Sequence, residues 1–95
     1  MLHILNKAPH SDAAQQVLQV LGKDDVLLLI EEAVQIIVYP DWEGWKQHSS
    51  RIYLLEEDVL SRGFQAEILS GSLPVVNISK FVSLTEQHKQ SVTWY

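Results

Sequence analysis

Four histidines and several serines are the side chains of this sequence that could carry acid–base or nucleophilic chemistry. His3 lies inside the first apolar segment, and a histidine acts as a general base when a nucleophile lies beside it. The available hydroxyls are those of Ser11, Ser49, Ser50 and Ser61, and none has the Gly-x-Ser-x-Gly setting of a nucleophile elbow. A serine and a histidine far apart in sequence are weak evidence for a catalytic triad. We therefore interpret His3 as a structural residue or a subunit contact.

Metal and nucleotide sites have little support in the sequence. The His10-x-Asp12 pair is a close combination of a histidine and an acid, but an HExxH motif is absent and an ordinary turn before a helix explains the pair better. The four glycines, at positions 22, 44, 63 and 71, match neither a dinucleotide fingerprint nor a P-loop. The sequence predicts no metal and no cofactor.

Paired acids could act as general acid and base, and they occur at Glu31-Glu32 and at Glu56-Glu57-Asp58. Both groups fall where helices are predicted to begin, and there carboxylates stabilise the helix dipole. A hydrolase or isomerase built on these acids, His3 or His10 is the least favoured class, because no nucleophile, base and orienting group can be placed together.

The chain contains no cysteine, which excludes a disulfide, a thiolate metal site and a cysteine nucleophile. Its 95 residues suit one domain spanning 1–95, with 46% hydrophobic residues. Seven Lys and Arg against twelve Asp and Glu give a net charge of −5, which repels nucleic acids and anionic membranes. No apolar run is long enough for a membrane helix and no signal peptide is evident, so we expect a cytoplasmic protein.

The segments that must position these residues alternate between short apolar strands and helices. Strands are predicted at 1–5, 26–30, 51–55, 75–78 and 92–94. Helices are predicted from Ser11 to Gly22, over 31–39, over 56–62 with a stop at Gly63, and over 79–90 with Ser79 as cap. The stretch 31–39 is ambiguous between helix and strand because its β-branched residues favour a strand, and helix is the interpretation adopted.

Two further expectations concern the ends of these segments. Residues 40–50 are polar apart from two tryptophans and are expected to form an exposed loop, and residues 64–72 are expected to be irregular. The helix at 79–90 should carry Phe81, Val82, Thr85 and His88 on one side. The alternation as a whole predicts an α/β protein with a mainly parallel sheet of four or five strands.

Aromatic residues provide the main indication of a binding surface. Trp42 and Trp45 lie in the polar stretch, and Trp94 and Tyr95 lie at the end of the sequence, where the chain itself buries them with difficulty. Tryptophan and tyrosine are enriched at protein interfaces. These four residues are predicted to contact partners, with His3 as a weaker candidate, although core packing is expected for one tryptophan.

The whole chain resembles the DsrH/TusB family of small sulfur-relay proteins. The matching pieces are Met1-Leu2-His3, residues 25–31 (DVLLLIE), residues 55–63 (LEEDVLSRG), residues 81–85 (FVSLT) and Trp94. The resemblance implies a three-layer α/β/α fold and partnership with TusC-like and TusD-like subunits in a dimer of heterotrimers. It also implies that TusA-like and TusE-like carriers bring persulfide sulfur to this assembly and take it onward for 2-thiolation of the tRNA wobble uridine.

The missing cysteine limits what this chain can do in such a relay. A relay holds sulfur as a persulfide on a thiolate, and some DsrH members carry a cysteine in the first helix, whereas the corresponding residues 14–18 of this chain (AQQVL) contain none. The expected role is that of a structural, non-catalytic subunit. Two alternatives stay open: a small-ligand or anion-binding module at the helix that starts with Ser79 and Lys80, and a subunit of a DsrEFH-type sulfur-oxidation complex.

Overall fold

The structure, a computed structural model, describes residues 1–65 and 74–94, with the side chain of Ser49 excepted. Its strands are β1 (Leu2–Leu5), β2 (Val26–Leu29), β3 (Ile52–Leu55), β4 (Val75–Val76) and β5 (Ser91–Trp94). Its α-helices are α1 (Asp12–Val20), α2 (Glu43–His48), α3 (Glu56–Ser61) and α4 (Ile78–Gln87), and 3₁₀ helices span Glu31–Val38 and Ser49–Arg51. The predicted irregular stretch at 64–72 lies mostly outside the described residues.

The five strands form one parallel sheet in the order β4-β3-β2-β1-β5. Leu2 lies beside Val26 of β2 and beside Ser91 of β5, so the two ends of the chain occupy neighbouring central and edge strands. The predicted strand at 92–94 is confirmed, as is the mainly parallel five-stranded sheet. Parallel strands that are covered on both faces consist of consecutive apolar residues, which explains the sequence VLLL of Val26–Leu29.

Helices cover both faces of the sheet, which confirms the three-layer α/β/α arrangement. The strands β1 to β4 advance in one direction, and right-handed crossovers then place α1, the Glu31–Val38 helix and α3 on the same face. Their core with the sheet contains Leu5, Ala14, Val17, Leu27, Leu29, Val34, Ile36, Ile52, Leu54 and Val59. The return to β5 runs the opposite way and places α4 on the second face, where the buried cluster is Leu2, Leu28, Val76 and Leu84.

The ambiguous stretch 31–39 is a helix, but a 3₁₀ helix over Glu31–Val38. It begins abruptly, because Glu31 has a φ of 51°, the left-handed conformation that costs a residue with a Cβ about 1–2 kcal/mol. The side chains of Val34 and Ile36 are completely buried against the sheet. Packing of these β-branched residues therefore decides their position, although their intrinsic preference favours strands.

The prediction of an exposed loop at 40–50 is wrong. Residues Glu43–His48 form α2, with an acid in the first turn and Lys46 and His48 in the last, the charge order that the helix dipole favours. Trp42, just before this helix, is only 6% exposed and belongs to the core. The polar residues around Trp42 led to the prediction of a loop, whereas the buried tryptophan anchors a short helix.

The end of the chain differs from the prediction in two details. The cap of α4 is Asn77, whose side chain accepts the Lys80 N–H at 2.9 Å, so the helix begins at Ile78 and not at Ser79. The face of α4 toward the core presents Leu84 and Phe81, while Val82 is 48% exposed, so the predicted apolar side was placed incorrectly. The predicted cap of α1 by Ser11 and the left-handed Gly63 after α3 are both confirmed.

Candidate functional site

The Asp25 carboxylate, in the turn between α1 and β2, has three hydrogen-bond partners. Its Oδ1 accepts a hydrogen bond from the N-terminal ammonium of Met1 at 2.9 Å. Its Oδ2 accepts the Gly22 backbone N–H at 2.9 Å and lies 3.0 Å from His3 Nε2. The carboxylate thus ties the start of β1 to the turn that leads into the neighbouring strand β2.

His3 is 3% exposed and uses both ring nitrogens within the fold. Its Nδ1 accepts a hydrogen bond from the indole Nε1–H of Trp94 at 3.1 Å. Since that nitrogen must be an acceptor, the ring proton of the neutral imidazole lies on Nε2 and is donated to Asp25. The side chain is fully paired, as the structural interpretation of His3 requires.

Hydrogen bonding keeps Asp25 ionised. The Gly22 N–H, then the N-terminal ammonium and His3, lower the pKa of Asp25 far below its usual value, and partial burial opposes them less strongly. The carboxylate is therefore an acceptor at every physiological pH. It is held too strongly as an anion to serve as a general acid or as a base.

A second polar contact joins the entrance of β3 to the same turn. The guanidinium of Arg51 donates to the backbone oxygens of Gly22 and Asp25, the latter at 3.3 Å, and to His48 Nδ1 at 2.6 Å. Burial, and then the Arg51 charge, lower the pKa of His48. His48 is consequently a neutral acceptor at pH 7, and Arg51 fixes the Gly22–Asp25 turn from the side of β3.

Among the side chains that the structure describes, no serine contacts the ring nitrogens of His3. The Ser11 hydroxyl donates to the Ala8 carbonyl at 2.7 Å and caps α1, and the Ser61 hydroxyl donates to the Asp58 carbonyl at 3.1 Å. Both His3 nitrogens are occupied by Asp25 and Trp94. The cluster holds strands together and shows no nucleophile positioned for activation.

The tryptophans predicted to contact partners have different environments. Trp42 is buried, and Trp45 is half-buried with its ring edge-on to that of Trp42 at a centroid distance of 6.0 Å. Trp94 is half-buried on β5, where it packs on the core and binds His3. Tyr95 lies outside the described residues. The structure brings His3 and Trp94 together, and Trp42 and Trp45 form a second aromatic pair.

An open cleft of ≈ 760 Å³ lies between α1 and the segment that joins the Glu31–Val38 helix to α2. Its apolar lining consists of Pro9, Leu18, Val38, Tyr39, Pro40 and Trp42. Its polar lining consists of His10, Gln15, Gln19, Asp41, Glu43 and Gln47. The volume falls within the range of protein binding sites, and the isolated aromatic and proline residues of its lining are the features that could have indicated it from the sequence.

His10 is one of the residues that line this cleft. Its ring packs edge-on against Tyr39 at a centroid distance of 4.6 Å. Across residues 1–65 and 74–94, no group of three His, Asp or Glu side chains converges as metal ligands would. In the same ranges, no helix is long and apolar enough to cross a membrane.

Two carboxylates have roles that the sequence interpretation missed. Asp25 precedes a buried strand, and Asp58 accepts the backbone N–H of Glu31 at 2.7 Å. On the sequence alone, Asp58 is attributed to the dipole of a helix start and Asp25 is assigned no role. The available signal for Asp58 was its position after β3, because parallel neighbours β2 and β3 end at the same edge of the sheet.

The fold and these sites define a small α/β/α protein with a parallel sheet, a structural histidine and an open cleft suited to binding. The chain belongs to the DsrH family, because the family model described as "DsrH like protein" matches residues 7–91. Protein TusB of Buchnera aphidicola is 33% identical over 96 residues, with 99% of this chain and all of the relative covered. Protein TusB of Shigella flexneri is 30% identical and one from Escherichia coli is 29% identical, with the same coverage.

Proposed function

We propose that this chain is a non-catalytic structural subunit of a TusBCD-type sulfur-relay complex that passes persulfide sulfur toward 2-thiolation of the tRNA wobble uridine. The DsrH family and the TusB relatives that match the whole chain support a role in the tRNA sulfur-relay pathway. The role of a structural subunit, and the composition of the complex, are the parts that we propose.

One observation carries the non-catalytic role: the chain has no cysteine. Sulfane sulfur moves between proteins by attack of one thiolate on another protein's persulfide, and the other side chains cannot replace sulfur in this exchange. The reactive cysteine must then belong to a neighbouring subunit. The closed hydrogen bonding of His3 supports the same conclusion, because its two nitrogens are spent on Asp25 and Trp94.

The proposed partners are a TusC-like and a TusD-like subunit in a dimer of heterotrimers, with TusA-like and TusE-like carriers acting on the complex in turn. We propose that residues 1–95 act as one domain, since the sheet takes strands from both ends of the chain. A cytoplasmic location fits this pathway. Direct contact with tRNA or with a membrane surface is not part of the proposal, because the net charge is −5.

Apolar side chains that remain exposed to solvent support a subunit role. On α4, Ile78 and Val82 lie one helical turn apart and are 41% and 48% exposed. Trp45 and Trp94 are half-buried and keep part of their rings accessible. We propose that partners contact the chain through Trp45, Trp94 and Tyr95. Trp42 would position Trp45, and His3 would position Trp94. Burial of such surface by a partner stabilises a small chain by mass action.

The anion-binding alternative is less well supported. The side chain of Asn77 already accepts the Lys80 N–H at the start of α4, which removes one of the donors that an anion would use. A thermal-shift screen of phosphates, sulfur oxyanions and nucleotides on the isolated chain tests this alternative. A flat panel of melting temperatures is the expected result.

The experiment for the proposed function is a reconstituted relay in which thiouridine formation is measured per assembled complex. The variants are His3→Gln, which alters the polar cluster, and His10→Gln, a matched change at an exposed histidine. Turnover per complex should stay within about twofold of the wild type for both, because neither ring would touch reacting sulfur. A complex that assembles with either variant and has lost its turnover would contradict the non-catalytic role.

A further inference from the structure

We propose that the cleft between α1 and residues 38–47 docks an extended, basic segment of a partner protein. The proposal goes beyond the structural role, because it concerns a second binding site with its own chemistry. It is also independent of which subunits surround the chain.

The two walls of the cleft are built before any ligand arrives. On one side, the Ser11 N–H and hydroxyl both bond to the Ala8 carbonyl, at 3.0 Å and 2.7 Å, which closes a turn around Pro9. On the other side, the Trp42 N–H donates to the Tyr39 carbonyl at 3.0 Å across Pro40. Proline fixes φ in both turns, so little ordering of the site is needed on binding.

The surface between these walls is apolar and accessible. Val38, the last residue of the 3₁₀ helix, is 55% exposed and the following Tyr39 is 41% exposed, whereas Ala33, Val34 and Ile36 of the same helix are buried. The half-buried Leu18 of α1 faces the same space. Covering such side chains by an apolar residue of a ligand removes them from water, which supplies the affinity.

The charge of the lining selects the kind of ligand. Asp41 and Glu43 are exposed carboxylates, and neither Lys nor Arg is among the described residues that line the cleft. The net charge of −5 adds a field of the same sign. A ligand with Lys or Arg beside apolar residues complements this surface, whereas phosphate groups of a nucleic acid are repelled.

The amide side chains favour a peptide over a simple cation. Gln15 and Gln19 lie four residues apart on α1, are exposed, and make no side-chain hydrogen bond with the described part of the chain. Residues at this spacing lie on one face of a helix. Each amide offers a donor and an acceptor, which is what the main chain of an extended segment requires.

Isotope-edited NMR on the isolated chain tests the proposal with synthetic probes. The first probe is a short peptide of alternating lysine and leucine, and the second replaces each lysine by glutamate. The lysine peptide should shift the side-chain amide signals of Gln15, Gln19 and Gln47 and the indole signal of Trp42, and the glutamate peptide should leave them unchanged. The double variant D41N/E43Q should weaken binding about fivefold, the loss expected for two exposed ion pairs.

The control is E57Q/E86Q, which changes the net charge equally at exposed positions that do not line the cleft. It should bind the lysine peptide within about twofold of the wild type, apart from a small effect of the overall field. Equal weakening by both double variants would overturn the proposal, as would equal binding of the two peptides. Shifts of the same size with spermidine would show a site for small cations and would also overturn it. None of these outcomes bears on the assembly with relay subunits.

Discussion

At the scale of single residues, Asp25 connects three separate parts of the chain. One carboxylate serves the N-terminal ammonium, the Gly22 N–H and the His3 ring, and His3 in turn holds Trp94 of the edge strand. A histidine–carboxylate pair of this kind invites a catalytic interpretation from geometry alone. Here the second nitrogen of His3 accepts a hydrogen bond from the Trp94 indole, so the His3–Asp25 pair holds neighbouring strands together.

The substitution Asp25→Ala tests this structural role. It leaves the His3 Nε2–H and the Gly22 N–H without their acceptor, so the free energy of unfolding should fall by about 2–3 kcal/mol. Urea unfolding followed by tryptophan fluorescence measures the loss. The exposed neighbour gives the control, since Asp24→Ala should stay within about 0.5 kcal/mol of the wild type. Similar losses at both positions would contradict the assigned role.

The same carboxylate predicts how stability depends on pH. Folding lowers the pKa of Asp25, so its contribution is complete above its unfolded pKa of about 3.9 and is lost as the pH falls below that value. Asp25→Asn should therefore reduce stability at neutral pH and flatten the acid side of the curve. The difference between this variant and the wild type should be constant near pH 6, because Asp25 is ionised there in both the folded and the unfolded chain. Unchanged slopes below pH 4 would contradict this account.

At the scale of elements, the start of α4 and the presence of α2 are two features that local sequence signals predict incorrectly. Both Asn77 and Ser79 are good capping residues, and the register of α4 against the sheet decides between them by burying Leu84. For α2, the sequence has a glycine at position 44 inside a short helix, which argues against helix on propensity alone. Contacts with distant parts of the fold override the local preference in both cases.

Because Asn77 and not Ser79 caps α4, replacing each of them by alanine should change stability by different amounts. Asn77→Ala removes the acceptor of the Lys80 N–H, so stability should decrease by about 1 kcal/mol. Ser79→Ala, at an exposed position within the first turn, should change stability by less than about 0.5 kcal/mol. Thermal unfolding of the two variants measures the difference, and the reverse order would restore Ser79 as the cap.

The close contact of Gly44 with the indole of Trp42 is also testable. A Cβ at position 44 would lie 2.5 Å from a ring carbon of Trp42, so Gly44→Ala must displace a core side chain. We expect a loss of about 1–3 kcal/mol in unfolding free energy, although alanine has the higher helix propensity. Lys46→Ala on the exposed side of the same helix should be nearly neutral. A stabilised Gly44→Ala protein would show that Trp42 does not pack here.

At the scale of the whole molecule, the sequence predicted the parallel sheet because its strands are short apolar runs separated by helices, as in Val26–Leu29. It predicted the structural nature of His3 but not its partners, since Asp25 and Trp94 are 22 and 91 residues away. The cleft depends on such distant pairing as well, because α1 meets the segment at Tyr39 only in the folded state. Motif spacing carries no information on contacts of this range.

The fold leaves the molecule with surfaces that a subunit role explains. The edge strand β5 has Ser91, Val92 and Thr93 exposed, and α4 exposes Ile78 and Val82. Natural proteins usually cover or block an open edge, because its unpaired backbone groups can pair with another chain. A partner on this side would bury the edge and would also hold Trp94 against His3.

The most direct test of the proposed function is the native mass measured after this chain is co-expressed with the TusC-like and TusD-like subunits proposed as its partners, compared with the chain expressed alone. The account predicts a stable assembly that contains all three chains, and a lone chain that is less stable to urea than the same chain within the assembly. A well-folded monomer that forms no complex with either of these subunits would contradict the proposed structural role.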